Sequence, residues 1–255
     1  MGLHRVIRRY RNQGGAAALR YVWRQQKNRL YRVANLVGPA RKRCPCCGWS
    51  GMRLLDDASH WQNAIICPGC GSHSRHRALW LFLEAEVARL KPGSAVLHLA
   101  ADHMVTPLFT TRGDLRYVTI DLKTKLAMVC ADATRLPFRS ESFQMIVSSH
   151  VIEHVGDDRG ALAEFARVLN PGGIAITMVP MQLNWKTMPT EEYGRPDPQR
   201  EYHWRLYGFD LEARLRGAGF ESRVVTAFDL AGAERASEYE LMDEPIFIGR
   251  KPPSP

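Results

Sequence analysis

The sequence of 255 residues predicts an α/β fold built on a mostly parallel sheet. Three short apolar runs, at 117–121, 128–132 and 143–149, follow one another, and each ends in an acidic or small polar residue. An amphipathic helix at 161–169 then leads into a fourth apolar run at 173–179. Apolar runs that end in this way and continue through a helix are typical of a doubly wound sheet.

Polar residues stand where the first three runs end. Asp121 closes the first run, Asp132 closes the second, and Ser148, Ser149 and His150 close the third. Because the carboxyl ends of parallel strands open onto one crevice, these side chains are predicted to share a ligand site that suits a nucleoside. Acids at such positions also cap the helices that follow strands, and that alternative stays open.

The same block resembles the class I S-adenosylmethionine-dependent methyltransferases, in the branch called methyltransferase type 11. The family pattern is roughly D-A-x-x-L-P-F-x-x-x-S-F-D, then H-V-L-E-H-V, then R-V-L-x-P-G-G. The residues in register are Asp132, Ala133, Leu136, Pro137, Phe138, Ser142, Phe143, His150, Val151, Glu153, His154, Val155, Arg167, Val168, Leu169, Pro171, Gly172 and Gly173. The resemblance implies a Rossmann-like sheet of seven strands with the last strand antiparallel.

The resemblance also implies that S-adenosylmethionine is the methyl donor, and it assigns positions to hold it. Asp121 is expected to accept hydrogen bonds from the two ribose hydroxyls. Asp132 is expected to accept one from the adenine amino group, while the backbone N–H of Ala133 meets a ring nitrogen. Ser149 and His150 complete the expected contacts at the end of the third run.

The turn after the first strand departs from the family. The strand is predicted at 95–100, but the chain continues Ala-Asp-His-Met without the usual glycine-rich turn. Relatives with an amino-terminal zinc ribbon resemble L-H-x-A-P-E here, which places His98, Ala100 and Asp102 among the cofactor contacts. Asp102 is expected to meet the ammonium group of the cofactor, whereas a strand histidine such as His98 can equally pack in the core.

A five-residue unit, C-P-x-C-G, occurs twice, at 44–48 and 67–71. Cys44, Cys47, Cys67 and Cys70 have the spacing of two zinc knuckles, and four thiolates form a closed structural Zn²⁺ site. Two disulfides or a redox pair are the alternatives. The absence of a signal peptide and two further cysteines, at 46 and 130, favour a reducing compartment and hence the metal.

A helix is predicted after the second unit and ends at Pro92 and Gly93. Gly71, Ser72, Arg75, His76 and Arg77 resemble the C-G-S-x-x-R-H-R of the ribbon-bearing methyltransferases. Because cations at a helix start oppose the helix dipole, these arginines are expected to face an anion or a carboxylate. They form either a joint between ribbon and catalytic domain or part of substrate recognition.

The basic charge of the protein is concentrated in the first 43 residues. They contain twelve Lys or Arg and no acid, which leaves 23 basic against 26 acidic side chains in the remainder. Apolar residues recur there at helical spacing, and no run reaches the length that crosses a bilayer. Residues 5–43 are therefore expected to lie on an anionic membrane surface, to bind RNA, to act as a transit peptide, or to dock on the protein itself.

The segment 181–208 has no clear periodicity and is predicted to be an irregular insertion that covers the methyl donor. Its end, at 203–208, resembles D-H-x-R-x-Y-G of the ribbon-bearing relatives, with Tyr202 in place of the aspartate. An acceptor hydroxyl would need a base, and His150 and His203 are the preferred candidates ahead of His154. Glu153 is a possible partner for a histidine or a metal.

Three domains are expected: a leader at 1–43, a ribbon at 44–73 and a methyltransferase domain at 74–255. The favoured function is methyl transfer to a small-molecule, glycan or lipid-linked acceptor, in a cytoplasmic protein that can be peripheral at the inner face of a membrane. A ribbon-bearing RNA methyltransferase and an inactive cofactor-binding protein are the alternatives. Acceptor identity and oligomeric state are not readable from the sequence.

Overall fold

The structure is a computed structural model that describes residues 7, 10, 11, 14–57, 62–122 and 127–254. Parts of the predicted leader and ribbon, namely residues 1–6, 8, 9, 12, 13 and 58–61, lie outside the described residues. The chain divides into two compact units, the first formed by Met1–Phe82 with Ala227–Glu244 and the second by Leu83–Thr226 with Pro245–Pro255. The domain boundaries at 43/44 and 73/74 stay predictions.

The first unit holds a long helix and two small hairpins. Its elements are α1 (Gly15–Val37), β1 (Lys42–Arg43), β2 (Ser50–Gly51), β3 (Leu55–Asp57), β4 (Gln62–Ile66), the start of α2 (Ser74–Ala88), and the helical segment Ala227–Glu238, which is kinked at Gly232. The pairs β1–β2 and β3–β4 are both antiparallel. They form the frame on which the cysteine units are carried.

Two asparagines attach α1 to the backbone of the ribbon. Asn28 donates to the carbonyl of Asp56 at 2.8 Å and accepts from its N–H at 2.9 Å. Asn35, two helical turns later, repeats both bonds with Arg53 at 2.8 and 2.9 Å. The polar side of α1 therefore faces the protein.

Arg77 is fully buried within the first unit. Its guanidinium donates to four carbonyl oxygens, those of Ile65, Ser72, Tyr239 and Glu240, at 2.7 to 3.0 Å. The hydrogen bonds of Arg77 thus go to carbonyl dipoles, and the carboxylate of Glu244 acts on it through electrostatic attraction. Arg77 thus ties the second cysteine unit to the chain that follows the segment Ala227–Glu238.

The second unit is a seven-stranded sheet, which confirms the predicted fold class. Its elements are β5 (Ala95–Leu99), α3 (Pro107–Thr110), β6 (Arg116–Asp121), β7 (Val129–Cys130), β8 (Phe143–Ser149), α4 (Asp158–Val168), β9 (Leu169–Met178), β10 (Glu191–Asp197), β11 (His203–Leu206), α5 (Leu211–Gly217), β12 (Glu221–Thr226) and β13 (Pro245–Arg250), with 3₁₀ turns at Ile152–His154 and Pro198–Arg200. The strand order is β12-β13-β9-β8-β5-β6-β7. Only β13 runs antiparallel to its neighbours, as the resemblance implied.

Apolar side chains fill one face of this sheet and bury α4 and α5 against it. The core includes Leu97, Leu99, Ile146, Ala175, Phe165, Leu211, Leu215 and Phe247. Leu97 pairs with Ile146, and Ile146 with Ala175, so their side chains share that face. The buried layer fixes the carboxyl ends of β5, β6 and β8 side by side.

The segment 181–208 is more regular than predicted. Strands β10 and β11 pair antiparallel, with Glu191 opposite Leu206 and Glu192 opposite Arg205, and an irregularity before Asp197. Polar and aromatic residues crowd both strands, which hides the twofold alternation from sequence analysis. The second part of the predicted insertion is therefore a two-stranded hairpin, whereas residues 182–190 form turns and coil.

Candidate active site

A cavity of about 190 Å³ opens at the carboxyl ends of β5, β6, β7 and β8. Its lining residues are Leu99, Ala100, Ile120, Asp121, Leu122, Ala131, Asp132, Ala133, His150, Val151, His154 and Val155. Apolar side chains form most of the wall, and two carboxylates and two imidazoles supply its polar groups. The structure thus places Ala100, Asp121, Asp132, Ala133 and His150, five of the predicted cofactor residues, around one cavity.

Two turns at this edge adopt the left-handed backbone conformation without glycine. Ala100 has φ 44° and donates its N–H to Ile120 at 2.7 Å. His150 has φ 56° and donates its N–H to Met178 at 2.8 Å. Non-glycine residues in this region cost roughly 1–2 kcal/mol and are concentrated at functional sites. Ala100 therefore makes a sharp turn in a backbone conformation that favours glycine.

The two predicted carboxylates differ in exposure and in local geometry. Asp132 is exposed, and its Oδ1 accepts from the N–H and the hydroxyl of Thr134, each at 2.8 Å. Asp121 is half-buried at the last position of β6, and its carbonyl accepts from the N–H of Ala131 at 3.1 Å. The local turn fixes one oxygen of Asp132, and the other is left to face a ligand.

Three predicted cofactor residues lie outside the cavity wall. His98 is fully buried, its Nδ1 lies 2.8 Å from the hydroxyl of Tyr117, and burial lowers its pKa to about 4. Asp102 accepts from the N–H of Met104 at 2.8 Å. Ser149 ends β8 and is half-buried. His98 has the surroundings of a core histidine, and Asp102 those of a turn cap.

An ion pair clamps the loop that follows Asp132 and Ala133. Arg167 donates to both oxygens of Glu164, at 2.6 and 2.8 Å, and to the carbonyls of Leu136 and Phe138, at 3.0 and 2.8 Å. Glu164 also accepts from the N–H of Leu136 at 2.8 Å. The hydrogen bond from Arg167 holds the pKa of Glu164 below its usual range. Sequence analysis found Arg167 only as a motif match and missed Glu164.

The hairpin is fixed to the 3₁₀ turn that precedes α4. Arg205, which is buried, donates to the carbonyls of Val155 and Gly156 at 2.6 and 2.7 Å. Tyr207 donates to Asp158 at 2.8 Å, and its pKa is raised well above the usual value by burial. Arg205 and Tyr207 are the R and Y of the H-x-R-x-Y-G pattern, so this pattern positions His203.

Four side chains then meet beside the cavity. His150 Nδ1 lies 3.4 Å from Glu153 Oε1, and the rings of His154 and His203 stand edge to face with centroids 4.7 Å apart. Glu153 is fully buried, and neither carboxylate oxygen accepts a hydrogen bond from the residues that the structure describes. Burial lowers the pKa of His203. The predicted bases His150 and His203 therefore share one buried carboxylate.

The four predicted metal ligands of the ribbon also converge. Cys44 Sγ lies 3.7 Å from Cys70 Sγ, Cys47 Sγ lies 3.7 Å from Cys67 Sγ, and all four sulfurs lie within 4.8 Å of one another. A tetrahedral Zn²⁺ with Zn–S bonds of about 2.3 Å requires sulfurs about 3.8 Å apart. The residues present therefore fit the ion.

The turns of the ribbon follow the same design twice. Gly48 and Gly71 have φ 72° and 80°, and each donates its N–H to the first cysteine of its unit at 2.9 Å. Cys46 stands outside the cluster, and its thiol donates to the carbonyl of His76 at 3.8 Å. No disulfide joins these cysteines, which are free thiols.

Strand order, crevice and motif together define a class I S-adenosylmethionine-dependent methyltransferase fold with an amino-terminal cysteine ribbon. The family model described as "Methyltransferase domain" matches residues 66–177. Residues 66–177 are therefore similar to that family of methyltransferase domains.

Known proteins with similar sequence or fold are named methyltransferases. Demethylmenaquinone methyltransferase from Mycobacterium bovis is 33% identical over 103 residues, which are 37% of this chain and 44% of the relative. The chain therefore spans less than half the length of that relative.

Solved structures support the fold alone. A chain of the Haloferax volcanii complex between the Trm112 methyltransferase activator and a candidate methyltransferase has a TM-score of 0.50 at 18% identity, covering 71% of this chain and 95% of that one. Burkholderia thailandensis 1,6-didemethyltoxoflavin-N1-methyltransferase, with S-adenosylhomocysteine bound, has a TM-score of 0.50 at 17% identity, covering 69% and 78%.

Proposed function

We propose that this protein transfers a methyl group from S-adenosylmethionine to a small-molecule, glycan or lipid-linked acceptor. The observation that carries the proposal is the cavity at four adjacent strand ends, where apolar walls alternate with Asp121 and Asp132. The M. bovis relative is named for a quinone substrate, which supports a small, lipid-soluble acceptor.

The residues of the cavity fit the parts of the donor. Asp121, at the end of β6, is assigned to the ribose hydroxyls, since one carboxylate can accept from both. Asp132 is assigned to the adenine amino group and the N–H of Ala133 to the ring. Ala100, with its small side chain in the left-handed turn, leaves room for the methionine part. The assignment of Asp102 to the ammonium group rests on the sequence resemblance alone, since Asp102 does not line the cavity and its Oδ1 accepts from the N–H of Met104.

The donor supplies an electrophilic methyl group, and the protein must orient an acceptor and take its proton. We assign the base to His150, which lines the cavity and has Glu153 behind its ring. His203 is the second candidate. The lowered pKa of His203 keeps its imidazole neutral, and so able to accept a proton, at neutral pH.

We assign Zn²⁺ to the four cysteines of the ribbon, in a structural role. Its thiolates leave no coordination position open, so the ion stabilises the fold and takes no part in transfer. The sulfur spacing described above supports this assignment.

Binding of the donor tests the site. S-adenosylhomocysteine should bind Asp121→Asn at least tenfold more weakly than wild type in calorimetric titration, while Glu221→Gln, an exposed acid of β12, should bind normally. Equal affinity in wild type and Asp121→Asn would refute the placement of the ribose.

Methyl incorporation from labelled donor into RNA, lipid and small-metabolite fractions tests the acceptor. Label in the lipid or metabolite fraction is expected. Label confined to RNA would favour the ribbon-bearing RNA methyltransferase, and binding without incorporation in any fraction would favour an inactive cofactor-binding protein.

We further propose that α1 rests on an anionic lipid surface. Its exposed apolar residues share one side, opposite the asparagines that face the ribbon: Leu19, Trp23, Leu30, Val33 and Val37 are 61–89% exposed. Arg20 and Arg29 flank this stripe and complement lipid phosphates, worth about 1 kcal/mol each near the surface. An RNA partner would not need the apolar stripe. Among the described residues, no helix is long and apolar enough to span a bilayer.

Vesicle sedimentation tests this surface. Wild type should bind phosphatidylglycerol-containing vesicles at least tenfold more tightly than pure phosphatidylcholine, and serine at positions 19, 23, 30 and 33 should abolish the binding. Leu183→Ser, a control at another exposed leucine, should bind like wild type. Equal binding to both vesicles, or RNA binding that the four serines leave unchanged, would exclude a lipid role.

A further inference from the structure

The carboxylate of Glu153 has the surroundings of a ligand and not of an ordinary core residue. It is fully buried, and no hydrogen bond from the described residues reaches either oxygen. An isolated buried carboxylate costs several kcal/mol, so a positive charge is expected beside it. No Lys or Arg of the described residues forms an ion pair with Glu153, and the Nδ1 atom of His150 lies 3.4 Å from its Oε1.

Two other histidines turn toward the same carboxylate. Glu153 and His154 are consecutive in the 3₁₀ turn, and His203 comes from β11. One donor atom from each of the three lies within 4.8 Å of the other two. We propose that Glu153, His154 and His203 bind a divalent transition metal ion.

The set of donor atoms selects the kind of ion. One carboxylate and two imidazoles with open positions suit Zn²⁺, Fe²⁺ or Co²⁺, whereas Ca²⁺ and Mg²⁺ prefer oxygen ligands. Ligands about 2.1 Å from a tetrahedral ion lie about 3.4 Å apart, so the three atoms must close by roughly 1.4 Å at most. His154 is exposed and therefore free to make that movement.

Hydrogen bonds join the strand that carries His203 to the turn that carries Glu153 and His154. Arg205 fixes the turn by donating to the carbonyls of Val155 and Gly156, and so holds β11 and the turn together. His203 stands two residues before Arg205, on the same strand. The hydrogen bonds of Arg205 therefore hold His203 near Glu153 and His154 without the metal ion.

Three protein ligands leave coordination positions at which the ion could bind a substrate group. His154 lines the cavity at the strand ends, so a group bound to the metal would lie beside the methyl donor. Resting on the proposed function, the ion would bind an acceptor hydroxyl and lower its pKa, and His150 would remain to take the proton. The substrate class is then an alcohol, an enol or a phenol.

Metal content tests the site without requiring methyl transfer. Wild-type protein loaded with Co²⁺ and desalted should hold one ion more per chain than Glu153→Gln, an isosteric change, and one more than His203→Gln. The lost ion should carry the weak visible bands of nitrogen and oxygen ligation, while the sulfur-to-cobalt bands of the ribbon persist. His103→Gln, a change at an exposed histidine outside the cluster, should hold as much as wild type.

Two variants keep the test decisive. If Glu153→Gln fails to fold by circular dichroism, the half-buried His203→Gln supplies the answer. Equal cobalt content and identical spectra in wild type and the folded variants would overturn the metal site. Loss of the ion in both, with S-adenosylhomocysteine affinity unchanged, would support it, whereas failure of the proposed function would show as absent donor binding in wild type.

Discussion

Ala100 carries the turn of the cofactor crevice at φ 44°, in a region that suits glycine. Its strain is the structural counterpart of the missing glycine-rich motif. Sequence analysis could place Ala100 at a strand end, because the apolar run stops there. It could not give the sign of φ, which depends on the hydrogen bond that Ala100 donates to Ile120.

Ala100→Gly should stabilise the protein by about 0.5–1 kcal/mol. Relief of the backbone strain stabilises the folded state by roughly 1–2 kcal/mol. This exceeds the cost of the conformational entropy that glycine adds to the unfolded chain. Urea unfolding measures it. The neighbouring Ala101 does not have a positive φ and serves as the control. Ala101→Gly should therefore destabilise the protein. A loss of stability in Ala100→Gly would contradict the strained turn.

His98 makes the protein sensitive to acid. Its folded pKa of about 4 lies below the unfolded value of about 6.5, so the unfolded state binds a proton first as the pH falls. Stability is therefore complete above pH 6.5 and declines through this window, by about 3 kcal/mol at pH 4. His98→Gln should flatten this part of the curve of unfolding free energy against pH.

The control for acid sensitivity is His103→Gln, since that side chain is exposed. Its curve of unfolding free energy against pH should keep the decline that His98 causes between about pH 6.5 and 4. His73, whose pKa is also lowered to about 4 by burial, should preserve part of the slope in His98→Gln. A curve for His98→Gln that coincides with wild type from pH 7 to 4 would rule out this account.

At the scale of elements, sequence patterns predicted those with a clear apolar period. Strands β8 and β9 lie where the apolar runs at 143–149 and 173–179 predicted them. Sequence analysis missed strands β10 and β11 because their side chains are mostly polar or aromatic. The hairpin is held by contacts of Arg205 and Tyr207 with distant residues. Such contacts join residues about 50 positions apart, and no local pattern records them.

The clamp of α4 on the cofactor loop can be tested by Arg167→Ala. The change removes two charge-assisted bonds to Glu164 and two bonds to carbonyls, and should cost about 2 kcal/mol of unfolding free energy. Because the loop carries Asp132, affinity for S-adenosylhomocysteine should fall by about tenfold. Thermal unfolding and calorimetric titration measure the two effects.

Arg139→Ala is the control for the clamp, since Arg139 is an exposed residue of the same loop. It should change neither stability nor affinity. If Arg167→Ala lowered stability and left affinity intact, the clamp would serve the fold without shaping the cofactor site.

At the scale of the molecule, the cysteines of the ribbon differ in whether they are proposed to bind Zn²⁺. Cys47→Ser should lower the zinc content by about one ion per chain, because four thiolates are needed to close the tetrahedron. Cys46→Ser should keep the zinc, since Cys46 lies outside the cluster. Elemental analysis of desalted protein measures both. A zinc loss of equal size in the two variants would contradict the assignment of ligands.

The first unit consists of two segments that are far apart in the sequence, and this affects how it folds during translation. Residues 227–244 belong with the ribbon, although about 140 residues of sheet separate the two along the chain. A ribosome therefore releases the cysteine hairpins first, and the carbonyls of Tyr239 and Glu240 that accept hydrogen bonds from Arg77 follow that residue by 162 and 163 positions. Nascent chains halted before position 239 should carry a guanidinium without its full set of acceptors, and should be the substrates of proteases until translation passes that point.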